Sequence, residues 1–228
     1  MNEALDYTLL DGEALVTAAV RRGRYETPVW IQSRWEEGEY AQYIQRNGCG
    51  HCTVAMAARL LGVRDVTPYT EYEHCRALFG PPSAERDEGH FLSPRGVALS
   101  LSGFGLDAEV HPYPKANREA AVDAILAALG RGELVIFLSF PETPDNPFSS
   151  GAHYVLLCGL LEDGRVLVAN SSTKAVTDTL GIQTVTREQL ARAIPEAGGR
   201  IGVSDTWGLE HGYRNNTGYV TVKEKEYV

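Results

Sequence analysis

One segment of the chain shows a clear helical pattern of hydrophobic and polar positions. In TVAMAARLLG, residues 53–62, apolar side chains recur at helical spacing, and Gly62 ends the helix. The turn-forming residues RNGCG come directly before this segment. The pattern therefore places Cys49 just before a buried helix or on its first turn.

Other segments have helical patterns too, and capping signals mark the starts of two of them. Thr70 and Glu73 form a predicted capping box at the start of a helix that runs through Phe79. Ser93-Pro94 begins the next helix, because proline is favoured at the first helical position. In chain order these segments are residues 12–23, where the pattern is weak, 70–79, 93–105, 117–132 and 187–194.

The second half of the chain changes to patterns typical of strands. ELVIFLSF is uniformly apolar, and the two segments around the Asp-Gly turn of LLEDGRVLV are predicted to form an antiparallel hairpin. LDAEVHPY alternates as a strand, and GYVTVKEKEYV is predicted to end the chain as a charged edge strand. Because helices come first and an antiparallel sheet follows, we expect an α+β fold.

Length and charge limit the class of protein. A chain of 228 residues can bury its core as one domain, so we expect a single domain with a lead-in over residues 1–40. Residues 28–45 are expected to be irregular, with one short strand possible. The formal net charge of -9 and the lack of a basic stripe argue against nucleic-acid and anionic-membrane partners. No apolar segment approaches the length that spans a bilayer, and the acidic N-terminus is unlike a signal peptide. We therefore expect a soluble cytoplasmic protein whose cysteines are thiols.

The segment Cys49-Gly50-His51-Cys52 suits several chemistries. It is the active-site sequence of protein disulfide isomerases. In those proteins a buried strand leads into the active site, whereas in this chain the residues before Cys49, IQRNG, are polar. Zinc binding together with His74 and Cys75 is a second interpretation, although adjacent helical residues point about 100° apart and rarely share a metal. In a third, both thiols only pack in the core.

A fourth interpretation makes Cys49 a nucleophile. A helix N-terminus favours the thiolate, and the thiol then needs an imidazole and a group that orients it. Of the six histidines, His153 is the best placed, because it begins a predicted strand after the small residues SSGA. The hairpin would then bring Asn170 back beside its ring. A surface histidine and a strand-capping asparagine are the alternatives for these two residues.

Four segments together resemble a known family. GCGHCTVAMAARLLG, LSPRGVALSLSGFGLDAEV, ELVIFLSF and AHYVLLCGLLEDGRVLVANSS are similar, in this order, to segments of papain-fold peptidases of the bacteriocin-processing (double-glycine leader) type and their stand-alone bacterial relatives. The resemblance covers roughly residues 40–175 and leaves residues 1–40 and 176–228 unmatched. It implies a papain-like fold of helices packed on an antiparallel sheet.

The resemblance also implies a role for each site residue. Cys49 matches the nucleophile, His153 the general base and acid, and Asn170 the residue that orients the imidazole. The family's oxyanion glutamine lies about six residues before the cysteine, so Gln45 is a closer match than Gln42, and neither fits fully. Cys52 matches a packing residue.

The predicted function is cleavage of a peptide bond in a peptide or protein substrate through an acyl-enzyme, without a cofactor. The alternatives that stay open are a thiol-disulfide oxidoreductase, an acyl or peptidyl transferase, and an inactive binding module on the same fold. The pair Gly198-Gly199 is more typical of a loop than of a self-processing site.

Overall fold

The structure is a computed structural model that describes residues 4–11, 13–79, 93–113, 117–139, 146–149, 151–172, 181–194 and 218–225. Gly198-Gly199 lies outside these residues. The helices are α1 Ala41–Asn47, α2 Cys49–Leu60, α3 Pro68–Phe79, α4 Pro94–Gly103, α5 Arg118–Gly130 and α6 Arg187–Arg192. The strands are β1 Leu5–Leu9, β2 Val16–Arg22, β3 Tyr25–Trp30, β4 Leu106–Pro112, β5 Leu134–Ser139, β6 His153–Leu160, β7 Val166–Ala169, β8 Ile182–Val185 and β9 Gly218–Glu224.

A six-stranded antiparallel sheet forms one layer of the fold, in the order β4-β9-β5-β6-β7-β8. The helix α2 packs on it, because α2 is apolar around most of its surface and eleven of its twelve residues are buried. This confirms the predicted α+β class and the predicted packing of helices on an antiparallel sheet. The hairpin of β6 and β7 around the Asp-Gly turn is also confirmed.

The N-terminal part of the chain is a second, three-stranded antiparallel sheet in the order β1-β2-β3. The helix predicted for residues 12–23 is therefore wrong, since Val16–Arg22 is a strand. Ala18, Ala19 and Val20 in the middle of this strand are consecutive, apolar and all buried, so hydrophobic and polar positions do not alternate there. Periodicity alone does not separate such a strand from a short buried helix.

The predicted edge position of the last strand is also wrong. β9 lies between β4 and β5 and pairs with both. Its residues Gly218–Val222 are buried, and only Lys223 and Glu224 at its end are exposed. The charges in the sequence mark the end of the strand rather than an exposed edge.

The sequence predicted the start of α4 correctly but not the start of α3. Ser93 caps α4 as expected, its side chain accepting from the N–H of Gly96 at 3.0 Å. The capping box predicted at Thr70 is wrong, because α3 already begins at Pro68. Thr70 instead exchanges hydrogen bonds with Thr67, whose backbone N–H donates to Thr70 Oγ1 at 2.8 Å. The prediction that this helix runs through Phe79 is confirmed.

A single residue between α1 and α2 sets the start of the helix that holds Cys49. This residue is Gly48, whose backbone N–H donates to the Ile44 carbonyl at 2.8 Å. A Cβ at this position would overlap that same carbonyl oxygen, so glycine is required there. Among the described residues, none of the helices is both long and apolar enough to span a bilayer.

Candidate active site

Cys49 is the first residue of α2, and its thiol lies against the start of β6. Cys49 is 8 % exposed, and the backbone N–H of Tyr154 favours its thiolate form. Burial raises the pKa of the Cys49 thiol, while the backbone N–H groups of Tyr154 and of the helix start act in the opposite direction. Thr53 holds the helix to the strand, since its hydroxyl lies 2.7 Å from the Cys49 carbonyl and 3.4 Å from that of Tyr154.

His153 is the residue before Tyr154 and the first residue of β6, so the imidazole belongs to the same end of this strand. Its Nε2 lies 2.8 Å from Asn170 Oδ1. Because an amide oxygen only accepts, Nε2 is the protonated nitrogen and Nδ1 keeps its lone pair. Burial lowers the pKa of His153 to about 4, although the hydrogen bond to Asn170 acts in the opposite direction. The ring is therefore a neutral base at neutral pH.

Asn170 follows β7 and is fully buried. Its Nδ2 donates to the Phe148 carbonyl at 3.1 Å and to Gln183 Oε1 at 2.9 Å. Its Oδ1 accepts from the Ser172 backbone N–H at 2.9 Å in addition to His153. The whole hydrogen-bonding capacity of the amide group is thus used, and its oxygen faces the imidazole.

The two glutamines considered for an oxyanion hole both lie on α1. Gln45 is half-buried, and its Nε2 donates to the Trp35 carbonyl at 2.7 Å. One N–H of this amide remains for another acceptor, so its role at an oxyanion stays a prediction. Gln42 is exposed. Gln32, which the sequence did not single out, donates to the Gln45 carbonyl at 3.4 Å and joins α1 to Ser171, the residue after Asn170.

The structure does not assemble the zinc ligands considered from the sequence. His74 stacks on Phe104 with ring centroids 4.3 Å apart, and Cys75 donates to Glu71 Oε1 at 3.0 Å. In the described part of the chain one set of metal-binding residue types comes close together, namely His51, Glu71 and Cys75. These groups bond to one another, since Glu71 also accepts from His51 and from the Ser100 hydroxyl. We interpret the set as a buried polar network that ties the first turn of α2 to α3 and α4.

Cys52 lies one turn beyond Cys49 and is fully buried. Burial raises the pKa of Cys52 well above the usual range, and electrostatic repulsion between a Cys52 thiolate and Cys49 and Glu71 adds to the effect. Because only a thiolate attacks a disulfide, such a thiol is a poor exchanger. All four cysteines are free and buried.

Sequence reasoning missed Gln183 and Phe148, which hold Asn170 in place. Gln183 lies on β8, a strand of only four residues that no pattern predicted. Phe148 contributes a backbone carbonyl, a group that every residue has. Neither position had a signal in the sequence.

No protein-family model matches the sequence, and no curated protein matches it significantly. Among solved structures the chain is similar to a crystal structure described as a candidate C39-like peptidase from Bacillus anthracis. The identity is 12 %, the alignment covers 79 % of this chain and 90 % of that chain, and the TM-score is 0.45.

Proposed function

We propose that this chain is a cysteine peptidase or amidase in which Cys49, His153 and Asn170 form the catalytic triad. The observation that supports it best is the buried hydrogen bond of 2.8 Å between His153 Nε2 and Asn170 Oδ1. This hydrogen bond leaves His153 Nδ1 as the basic nitrogen. His153 begins β6, the strand whose start lies beside Cys49. A nucleophile, a base and a group that orients the base are the parts that acyl transfer requires.

The first half of the reaction forms an acyl-enzyme. Because burial favours the neutral forms of both groups, His153 Nδ1 would take the thiol proton as Cys49 Sγ attacks the carbonyl carbon of the substrate. Asn170 Oδ1 would stabilise the resulting imidazolium. The backbone N–H of Cys49 and the Gln45 amide would donate to the oxyanion.

Collapse of the intermediate that this attack produces completes the acyl-enzyme, and water then releases the acyl group. The imidazolium of His153 would give its proton to the leaving amine, and the C–N bond would break to leave a thioester on Cys49. Water would then attack the thioester with His153 as the base, which returns the thiol. A peptide or protein would be the substrate, residues 1–228 would act as one domain in the cytoplasm, and no step needs a cofactor.

Labelling of the cysteines with iodoacetamide tests this assignment without knowledge of the substrate. Cys49 should react at least about tenfold faster than Cys52, Cys75 and Cys158, because it alone would have a neighbouring base. The labelling rate of Cys49 should depend on His153 down to about pH 4, the lowered pKa of this ring, below which protonation removes the base. With an ordinary histidine pKa of 6.5 the dependence would already be lost below that pH. The measurement is a mass-spectrometric rate for each cysteine from pH 3.5 to 8.

The matched variants are His153→Ala and His74→Ala, which each remove one imidazole. Only His153→Ala should slow labelling of Cys49, because the other imidazole, His74 on α3, stacks on Phe104. Equal rates for Cys49 and Cys52, or a Cys49 rate unchanged in His153→Ala, would contradict the assignment.

A further inference from the structure

We propose that Gln183 is a positioning residue for this reaction, because it fixes the rotation of the Asn170 amide so that the oxygen faces His153. This inference rests on the proposed function and adds to it a residue that does not touch the reacting atoms. Gln183 is 3 % exposed and lies directly across from Val168 in the pairing of β7 and β8.

Backbone groups decide which way both amides point. Asn170 Oδ1 faces the Ser172 N–H, which can only donate, and Asn170 Nδ2 faces the Phe148 carbonyl, which can only accept. Gln183 Nε2 in turn faces the Pro147 carbonyl at 2.8 Å. Gln183 Oε1 is therefore the end that meets Asn170, and it accepts from Nδ2 at 2.9 Å.

A rotated Asn170 would be incompetent as well as unstable. Its Nδ2 would then face the Ser172 N–H and would draw His153 into the tautomer that carries its proton on Nδ1, which removes the base, and its oxygen would face the acceptors on Phe148 and Gln183. Because Asn170 and Gln183 are buried, each unmatched group loses its full hydrogen bond. Gln183 supplies one of the two acceptors that prevent this rotation.

The same arrangement accounts for an asparagine at this position. In an Asn170→Asp variant a carboxylate oxygen would lie against the Phe148 carbonyl and Gln183 Oε1, both of which repel it. Gln183 could turn its amide to donate, but its own oxygen would then face the Pro147 carbonyl. The Gln183 amide and these carbonyls thus select an amide over a carboxylate at residue 170.

The experiment is a double-mutant cycle that is read by the rate of Cys49 labelling with iodoacetamide. Gln183→Leu, which removes both polar groups at similar size, should lower the His153-dependent rate by about tenfold, as loss of an orienting group typically does. In an Asn170→Ala background the same substitution should have no further effect, because Gln183 would act only through Asn170. The control Thr186→Ala removes the cap of α6 near the same strand and should leave the rate unchanged.

A second variant keeps the test informative if Gln183→Leu folds poorly. A protonated carboxyl in Gln183→Glu can donate to the Pro147 carbonyl and accept from Asn170, whereas a carboxylate cannot donate. Its Cys49 labelling rate relative to the unmodified chain should therefore be higher at pH 5 than at pH 8. Equal loss in both backgrounds, or a ratio for Gln183→Glu that does not change with pH, would overturn the inference. Labelling that is insensitive to His153→Ala would instead overturn the proposed function itself.

Discussion

Replacement of Cys49 by alanine is expected to lower the rate of amide cleavage by at least about a thousandfold, because the acyl-enzyme can no longer form. Replacement of Cys52 by alanine should leave most of that activity. Cys52 is fully buried, its pKa is raised by burial, and no step of the proposed reaction uses it. The measurement is cleavage of a general peptide library by the two variants and by the unmodified chain.

This pair of variants also separates hydrolysis from dithiol exchange. In an exchanger both substitutions stop the reduction of insulin, since the second thiol resolves the mixed disulfide. Insulin reduction that is lost in both variants, with no cleaved peptide, would show that Cys49 and Cys52 act as a redox pair.

Replacement of Glu71 by alanine is expected to lower the free energy of unfolding by about 3–5 kcal/mol, because three buried groups lose their acceptor at a cost of about 1–3 kcal/mol each. Glu71 is 1 % exposed and accepts from His51, Cys75 and Ser100. Burial by itself would raise the pKa of Glu71, but the electrostatic interaction with His51 and the hydrogen bonds from His51, Cys75 and Ser100 outweigh it and lower the pKa. The variant would leave three polar groups buried without this acceptor.

Glu73 offers a matched control on the same helix. Its carboxylate pairs with Arg76 at 3.1 Å, and its side chain is 42 % exposed. Glu73→Ala should therefore change the free energy of unfolding by less than about 1 kcal/mol. Urea unfolding at pH 7 measures both variants, and similar losses for the two would contradict a special role for the buried network. Glu71→Gln, which keeps an acceptor, should lose less than Glu71→Ala.

The parts of the fold that the sequence predicted are those with dense local signals. The apolar pattern before Gly62 and the turn at RNGCG placed Cys49 correctly at a helix start. The Asp-Gly turn fixed the pairing of β6 with β7, so Asn170 was expected beside His153, and the two residues do contact each other.

The parts that it missed depend on contacts between distant segments. The central strand β2 has no alternation because both of its faces are covered, and β9 is internal because β4 pairs with it from far away in the chain. Gln183 orients Asn170 from a short strand, and its role becomes visible only when the Phe148 and Pro147 carbonyls surround the same two amides. Local patterns do not specify such three-dimensional neighbours.

The most direct test of the central claim is the mass of the chain after it is mixed with p-nitrophenyl acetate and quenched in acid. The proposed triad predicts a burst of p-nitrophenol equal to the concentration of sites, with one acetyl group on Cys49 as a thioester. The burst should disappear in Cys49→Ala and slow strongly in His153→Ala. An acetyl group on another residue, or equal acetylation of Cys49 in His153→Ala, would contradict the account.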